Sequence, residues 1–246
     1  MLKYLIIGFF AQLIDGTMGM AYGISARTFL RSFAGLDTVA ASVVVHCSEV
    51  FTSLASGISH YKLKNYMKEN LLKLAIPGAI GGFLGSWFLT SLGNKLEIFI
   101  DVYLIVMGFK ILSKALKKEE HDDKKVHMLP LLGLVGGFLD ATGGGGWGPV
   151  VTASLVSRQK EVKKVIGTVN IAEFIVTIVE TTTFVIFFRG FKNYLNIILG
   201  IIIGGVIAAP IAAVCCKKAP VKQLMVLIGV LLITLYSYTL YGVIFH

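Results

Sequence analysis

The sequence predicts an all-α polytopic membrane protein of two homologous halves, each a glycine-broken, re-entrant helix segment followed by three transmembrane helices, arranged as an inverted repeat. Three observations point there. The 246 residues are 55% hydrophobic and 15% charged, with a mean hydropathy of +0.78, and apolar stretches of about 20 residues, the length that crosses a bilayer, recur between short basic connections. Sliding the chain by 125 positions lays Gly8 on Gly133, Asp15 on Asp140, Thr17 on Thr142, Gly19 on Gly144, Tyr22 on Trp147 and Gly23 on Gly148; such self-similarity is the mark of a duplicated unit. Each half, finally, opens on a glycine-containing break in an otherwise apolar segment.

The first half (residues 1–113) opens on a broken segment, 2–35, followed by apolar segments at 38–60, 70–92 and 96–113. The start could pass for a signal peptide, but no small-x-small cleavage site follows and the repeat begins within it, so it reads as mature protein. With one residue dropped from the alignment His46 meets Asn170 and Glu49 meets Glu173; with a second dropped, Gly81-Gly82 meets Gly204-Gly205. A mixed-charge connection, residues 114–128, leads to the second half (129–246), with its broken segment at 129–158 and apolar segments at 162–188, 194–215 and 221–244.

The second break is the stronger one. Four consecutive glycines, Gly143 to Gly146, stand between Leu139-Asp140-Ala141-Thr142 and Trp147-Gly148-Pro149. Each glycine costs a helix interior roughly 1 kcal/mol relative to alanine, so the backbone must unwind there. Pro149 suits the first turn of a new helix, where a missing N–H is no loss, and the N–H groups and positive dipole end of that helix would face the break, a setting for a small anion. The first break has Met18, Met20 and Ala21 where the second has Gly143, Gly145 and Gly146, so the second is expected to let a substrate closer to the backbone.

Lysine and arginine positions choose between broken segments that cross the membrane and broken segments that return to the side they entered. Leaving aside Lys73 and Lys110, crossing segments divide the basic residues 11 to 10 between the two faces, whereas re-entrant segments keep Lys3, Arg27, Arg31, Lys95, Arg189 and Lys192 together and divide them 6 to 15. The positive-inside rule favours the second arrangement. Three spans per half invert the second half relative to the first, the plan of many secondary transporters, whose binding sites lie between broken helices near the midplane. The formal net charge of +9 sits in the connections, where it sets topology and touches anionic lipid; nucleic-acid binding is not expected. Cys47, Cys215 and Cys216 lack metal-ligand spacing and read as inert packing.

The stretches Gly136-Gly137-Phe138-Leu139-Asp140-Ala141-Thr142-Gly143-Gly144-Gly145-Gly146-Trp147-Gly148-Pro149 and Ile166-Gly167-Thr168-Val169-Asn170-Ile171-Ala172-Glu173-Phe174, with Asp15-Gly16-Thr17-Met18-Gly19-Met20-Ala21-Tyr22-Gly23, Val45-His46-Cys47-Ser48-Glu49 and Ser56-Gly57-Ile58-Ser59-His60 in the first half, resemble the TauE/SafE sulfite exporter family, also called the toluene-sulfonate uptake permeases. The resemblance runs over nearly the whole chain. It implies a multi-pass carrier of the bacterial inner membrane for small sulfur-containing anions such as sulfite, sulfoacetate or other organosulfonates, with no cofactor and no resident metal.

Each candidate residue has a functional and a structural reading. Asp15 and Asp140 sit at the breaks, where a carboxylate can couple transport to a proton or ion or can cap freed N–H groups. Two membrane aspartates also suggest an aspartyl-protease dyad, but the Tyr-Asp and Gly-x-Gly-Asp contexts are absent. Glu49 and Glu173 lie at matched places inside apolar spans, where an ionisable group is a functional candidate by default; the alternative is a buried structural glutamate. His46 and Asn170, three residues earlier on the same helix faces, would line the same cavity, and His60 near a span end reads as interfacial. Thr17, Thr142, Tyr22 and Trp147 could donate to an oxyanion, with the aromatic pair equally able to brace the breaks, and Gly144, Gly145 and Gly146 could bring backbone N–H groups to it. No lysine or arginine reads as an intramembrane anion ligand, so helix ends, backbone and hydroxyls are expected to hold the substrate. No nucleophile–base spacing suggests an enzyme; the rivals to a coupled carrier are an uncoupled anion channel with the same site and, behind it, a membrane-embedded enzyme.

Overall fold

The computed structural model describes residues 1–18, 22–116, 128–144, 147–156, 161–215 and 221–245. They form α1 (Leu2–Met18), α2 (Tyr22–Ala34), α3 (Thr38–Lys62), α4 (Lys68–Leu92), α5 (Glu97–Leu116), α6 (Leu129–Gly143), α7 (Ala153–Val156), α8 (Val162–Phe187), α9 (Leu195–Cys215) and α10 (Val221–Phe245), with a π-wound turn at Trp147–Thr152 leading into α7 and single 3₁₀ turns at Gly93–Leu96 and Phe191–Tyr194. Helix ends follow local chemistry. Asp37 caps α3 by accepting from the Ala40 N–H at 2.8 Å, and Gly144 stops α6 in the left-handed region at φ 64°, returning its N–H to the Asp140 carbonyl at 2.5 Å, a conformation glycine adopts without the cost a side chain would bring. Winding resumes after the second break at Trp147, two residues ahead of the expected Pro149. A proline in the first turn loses nothing there, because the first four N–H groups of a helix have no intrahelical acceptor.

Among the described residues, four helical stretches, Thr38–Lys62, Lys68–Leu92, Lys163–Phe187 and Phe191–Cys215, are long and apolar enough to cross a membrane. The 20-residue α5 carries Glu97, Asp101 and Lys110 along its length. The burial pattern is that of a protein in lipid. Ile76, Ile80, Phe83 and Trp87 of α4 and Ile203 and Ile207 of α9 are exposed, while Ser42, His46, Ser48, Glu49, Thr52, Ser53 and Ser56 of α3 are buried. Polar side chains thus turn inward, as they must where the surroundings offer no hydrogen bonds.

Packing crosses between the halves. α6 lies on α4, α1 on α9, α3 on α8 and α9, and α8 on α4, while α5 and α10 pack mainly on each other. Glycines make the first two contacts possible. A Cβ at Gly133 or Gly137 would collide with the carbonyls of Leu74 or Gly78, and one at Gly8 or Gly204 with the backbones of Ile201 or Leu5, so the helices meet backbone to backbone, as small residues permit in membranes. The result sets the ends of α1 and α6 that lead to the breaks in the interior, α1 beside α8 and α6 beside α3.

Candidate functional site

The two breaks touch. A Cβ at Gly23, at the start of α2, would collide with the Gly144 carbonyl, and one at Gly144 would lie 3.2 Å from the Gly23 carbonyl. Each break is closed by the same device: Asp15 Oδ1 accepts the Tyr22 N–H at 3.4 Å, and Asp140 Oδ1 accepts the Trp147 N–H at 3.1 Å, both across seven residues. Each aspartate therefore caps a first-turn N–H of the helix beyond its break. Trp147 braces the second break. Its ring fills a notch at Gly78, where a Cβ would lie 2.7 Å from Cζ3, and its Nε1 donates to the Val169 carbonyl at 3.2 Å.

Behind the breaks lies a buried polar cluster. His46 Nδ1 is 3.1 Å from both Glu49 Oε2 and Glu180 Oε2, its ring stacks on Phe184 at 5.4 Å, and one donor atom from each of His46, Glu49, Asp140 and Glu180 lies within 4.8 Å of the others. Glu173 sits within electrostatic reach of Asp15, Glu49, Asp140 and Glu180, and all five carboxylates are at most 4% exposed. Among the described residues, His46 is the one basic side chain that pairs with them. Buried carboxylates this close cannot all carry charge without protons or a cation to offset it, so the arrangement can take up and release positive charge.

The predicted ligands divide into engaged and available groups. The Thr17 and Thr142 hydroxyls donate to the carbonyls of Ile14 and Phe138 at 2.8 and 2.9 Å. Asn170 accepts from Ser56 Oγ at 2.6 Å and donates to the Ile166 carbonyl at 2.9 Å. With the Trp147 indole also occupied, four of the expected donors are spent on the protein. Tyr22 is buried with its phenol facing Glu49 and Thr52. Gly145 and Gly146 lie outside the described residues, as does Cys216. His60, expected at the interface, is fully buried beside Asn65 Nδ2, 3.4 Å from its Nδ1.

Two residues of this region are absent from the sequence-derived candidates. Glu180 lies seven positions after Glu173, two helical turns along the same face, but its partner in the first half is Ser56, so a comparison of matched polar pairs passes over it. Arg27, which the topology count groups with the loop charges, is fully buried. Its Nη1 donates to the Thr142 carbonyl at 3.0 Å, and its Nε and Nη2 have no hydrogen-bond partner among the described residues. One turn on, Arg31 has both its partners, Glu97 and Asp101 Oδ1, the latter at 2.6 Å. The expectation that no buried cation is available for an anion is therefore corrected: packing of the short helical arm α2 against α1, α3 and α10 turns an apparent loop arginine into an interior one.

Residues 4–239 match the family described as sulfite exporter TauE/SafE. A protein of Bacillus subtilis (strain 168) named "Probable membrane transporter protein YtnM" is 39% identical over 251 residues, an alignment that takes in 98% of this chain and 82% of that protein. No solved structure matches the chain.

Proposed function

The chain belongs to the TauE/SafE sulfite exporter family and is a multi-pass membrane transporter rather than an enzyme; from that premise we propose that it is a secondary transporter of small sulfur-containing oxyanions, sulfite, sulfoacetate or another organosulfonate, coupled to protons. The observation that carries the reading is the contact of the two breaks at Gly23 and Gly144 with the carboxylate–imidazole cluster directly behind it. The substrate binds where the breaks meet, in reach of Tyr22, the backbone at Gly144, Trp147 and Gly148, and the helix ends. An oxyanion there is repelled by ionised carboxylates a few ångströms away, and in a low-dielectric site that repulsion is large. Protons on Glu49, Glu180 and Asp140 remove it. Anion and proton therefore load together, which is coupling by mutual dependence of two binding equilibria.

The exchange of packing partners, α1 with α9 and α6 with α4, supports two repeats, 1–113 and 129–246, related by a two-fold. The repeats also differ instructively. His46 and Asn170 hold matched positions, and so do Ser56 and Glu180, so His46–Glu180 and Asn170–Ser56 are the same contact made twice. One copy titrates and the other does not, and proton handling falls to the His46 copy alone.

Reconstituted into proteoliposomes, the protein should accumulate sulfite or sulfoacetate above equilibrium when a proton gradient is imposed, and a protonophore should abolish the accumulation. Downhill flux that ignores the gradient would make the protein an anion channel, and flux of neither anion would remove the substrate assignment.

A further inference from the structure

We propose that Arg27 grips the transported oxyanion, holding two of its oxygens side-on with Nε–H and Nη2–H where α2 meets the end of α6. This rests on the reading of the protein as an oxyanion transporter and names the residue that recognises the charge. The guanidinium is fully buried, and a charge stripped of water is costly unless it is paired and its donors are met. Nη1 is fixed on the Thr142 carbonyl at 3.0 Å, two residues before the left-handed Gly144. The orphaned pair, Nε and Nη2, is the edge of a guanidinium that presents two parallel N–H bonds, the fork that matches a carboxylate, sulfonate or sulfite group.

The neighbouring charges are already committed. Glu97 and Asp101 Oδ1 both pair with Arg31, whose guanidinium also lies over the Tyr236 ring, 5.6 Å from its centre, and the Tyr236 hydroxyl accepts from Thr28 at 3.0 Å. Arg27 adjoins the break itself, because a Cβ at Gly144 would lie 3.3 Å from its Cδ. The position matched to Arg27 in the second half is Thr152, so the repeat does not duplicate this grip. Asp101 Oδ2 is also without a hydrogen bond, and the competing account is that Arg27 serves only as a second partner of Asp101.

The full-length protein, purified in detergent at one pH, separates the two accounts by calorimetric titration with sulfite and with sulfoacetate, and with chloride as an anion that cannot take two parallel hydrogen bonds. Wild type should bind both oxyanions and discriminate against chloride. Arg27→Lys keeps the charge but not the fork and should weaken oxyanion affinity by roughly tenfold or more while narrowing the preference over chloride. Arg27→Met should abolish binding and melt no lower than wild type in the absence of ligand, since an apolar side chain replaces an unmatched charge. Arg27→Lys and Arg27→Met that both bind sulfite within threefold of wild type would overturn the proposal, and a lowered melting temperature in Arg27→Met with affinity intact would make Arg27 a partner of Asp101 only. Wild-type protein that binds neither oxyanion would instead overturn the assignment of the transported anion, and the role of Arg27 with it.

Discussion

His46 stands 3.1 Å from two glutamates contributed by different helices, Glu49 on α3 and Glu180 on α8, so one imidazole nitrogen lies between carboxylates that belong to opposite halves of the chain. Neutralising either acid should separate coupling from binding. Glu49→Gln and Glu180→Gln are expected to lose proton-driven accumulation while keeping sulfite-for-sulfite exchange, measured in the same proteoliposomes; a variant that still accumulates returns that glutamate to a structural role. The Asn170–Ser56 copy of the contact cannot hold an extra proton, so Ser56→Ala should leave coupling unchanged and lower stability by about 1–3 kcal/mol through the unsatisfied Asn170 oxygen. Asp140→Ala removes the cap on Trp147 and should cost about 0.5–2 kcal/mol, whereas Asp140→Asn can still accept that N–H; thermal melting of the two variants tells the cap from the charge. Glu49 was legible as a candidate because an acid is costly to place in an apolar span and is seldom found there without a task. Glu180 carries the same signal within the segment 162–188 and is passed over only because its counterpart in the other half is Ser56, whereas Arg27, in a short arm, is shown to be interior by packing alone.

Among elements, the pairs α4–α6 and α1–α9 depend on glycines that bring backbones together. Gly137→Ala and Gly204→Ala place a methyl group against the carbonyls of Gly78 and Leu5, which cannot move aside as a side chain would. Both should lower the melting temperature and the yield of folded protein in the membrane. Gly57→Ala, whose Cβ would sit at an ordinary 3.6 Å from Ile171 Cα, should do neither, and equal damage from all three would point to helix propensity in place of close packing. Gly144→Ala adds strain of a different origin. The left-handed φ of 64° costs a non-glycine residue roughly 1 kcal/mol or more, and because the same glycine adjoins Arg27, sulfite affinity should fall with stability. Helix positions themselves were legible in the sequence to within a few residues, since apolar length and glycine punctuation act locally. The π-wound restart at Trp147 was not, because it answers to the Asp140 carboxylate and the Gly78 notch, both supplied by other parts of the chain.

For the whole molecule, the burial of Arg27 and the pairing of Arg31 remove two charges from the smaller face of the topology count, leaving Lys3, Lys95, Arg189 and Lys192, 4 against 15. The positive-inside argument then rests on these loop charges. It predicts that single cysteines near residues 120 and 246, in a cysteine-free background, are labelled by an impermeant thiol reagent in intact cells only at 246; labelling at 120 alone would reverse the orientation, and termini found on opposite faces would refute the inverted repeat. By itself the sequence determined the membrane setting, the family, the position of both helix breaks and the matched polar residues. These follow from composition, spacing and self-similarity, which act along the chain. Only the tertiary structure decided which polar groups meet: that the breaks touch at Gly23 and Gly144, that His46 reaches Glu180 across the halves, that Asn170 is spent on Ser56, and that Arg27 is left with an unpaired fork. Burial and pairing are set by which helices pack together, and in lipid that choice rests on backbone-close glycine contacts between segments more than 50 residues apart, a relation no local pattern carries.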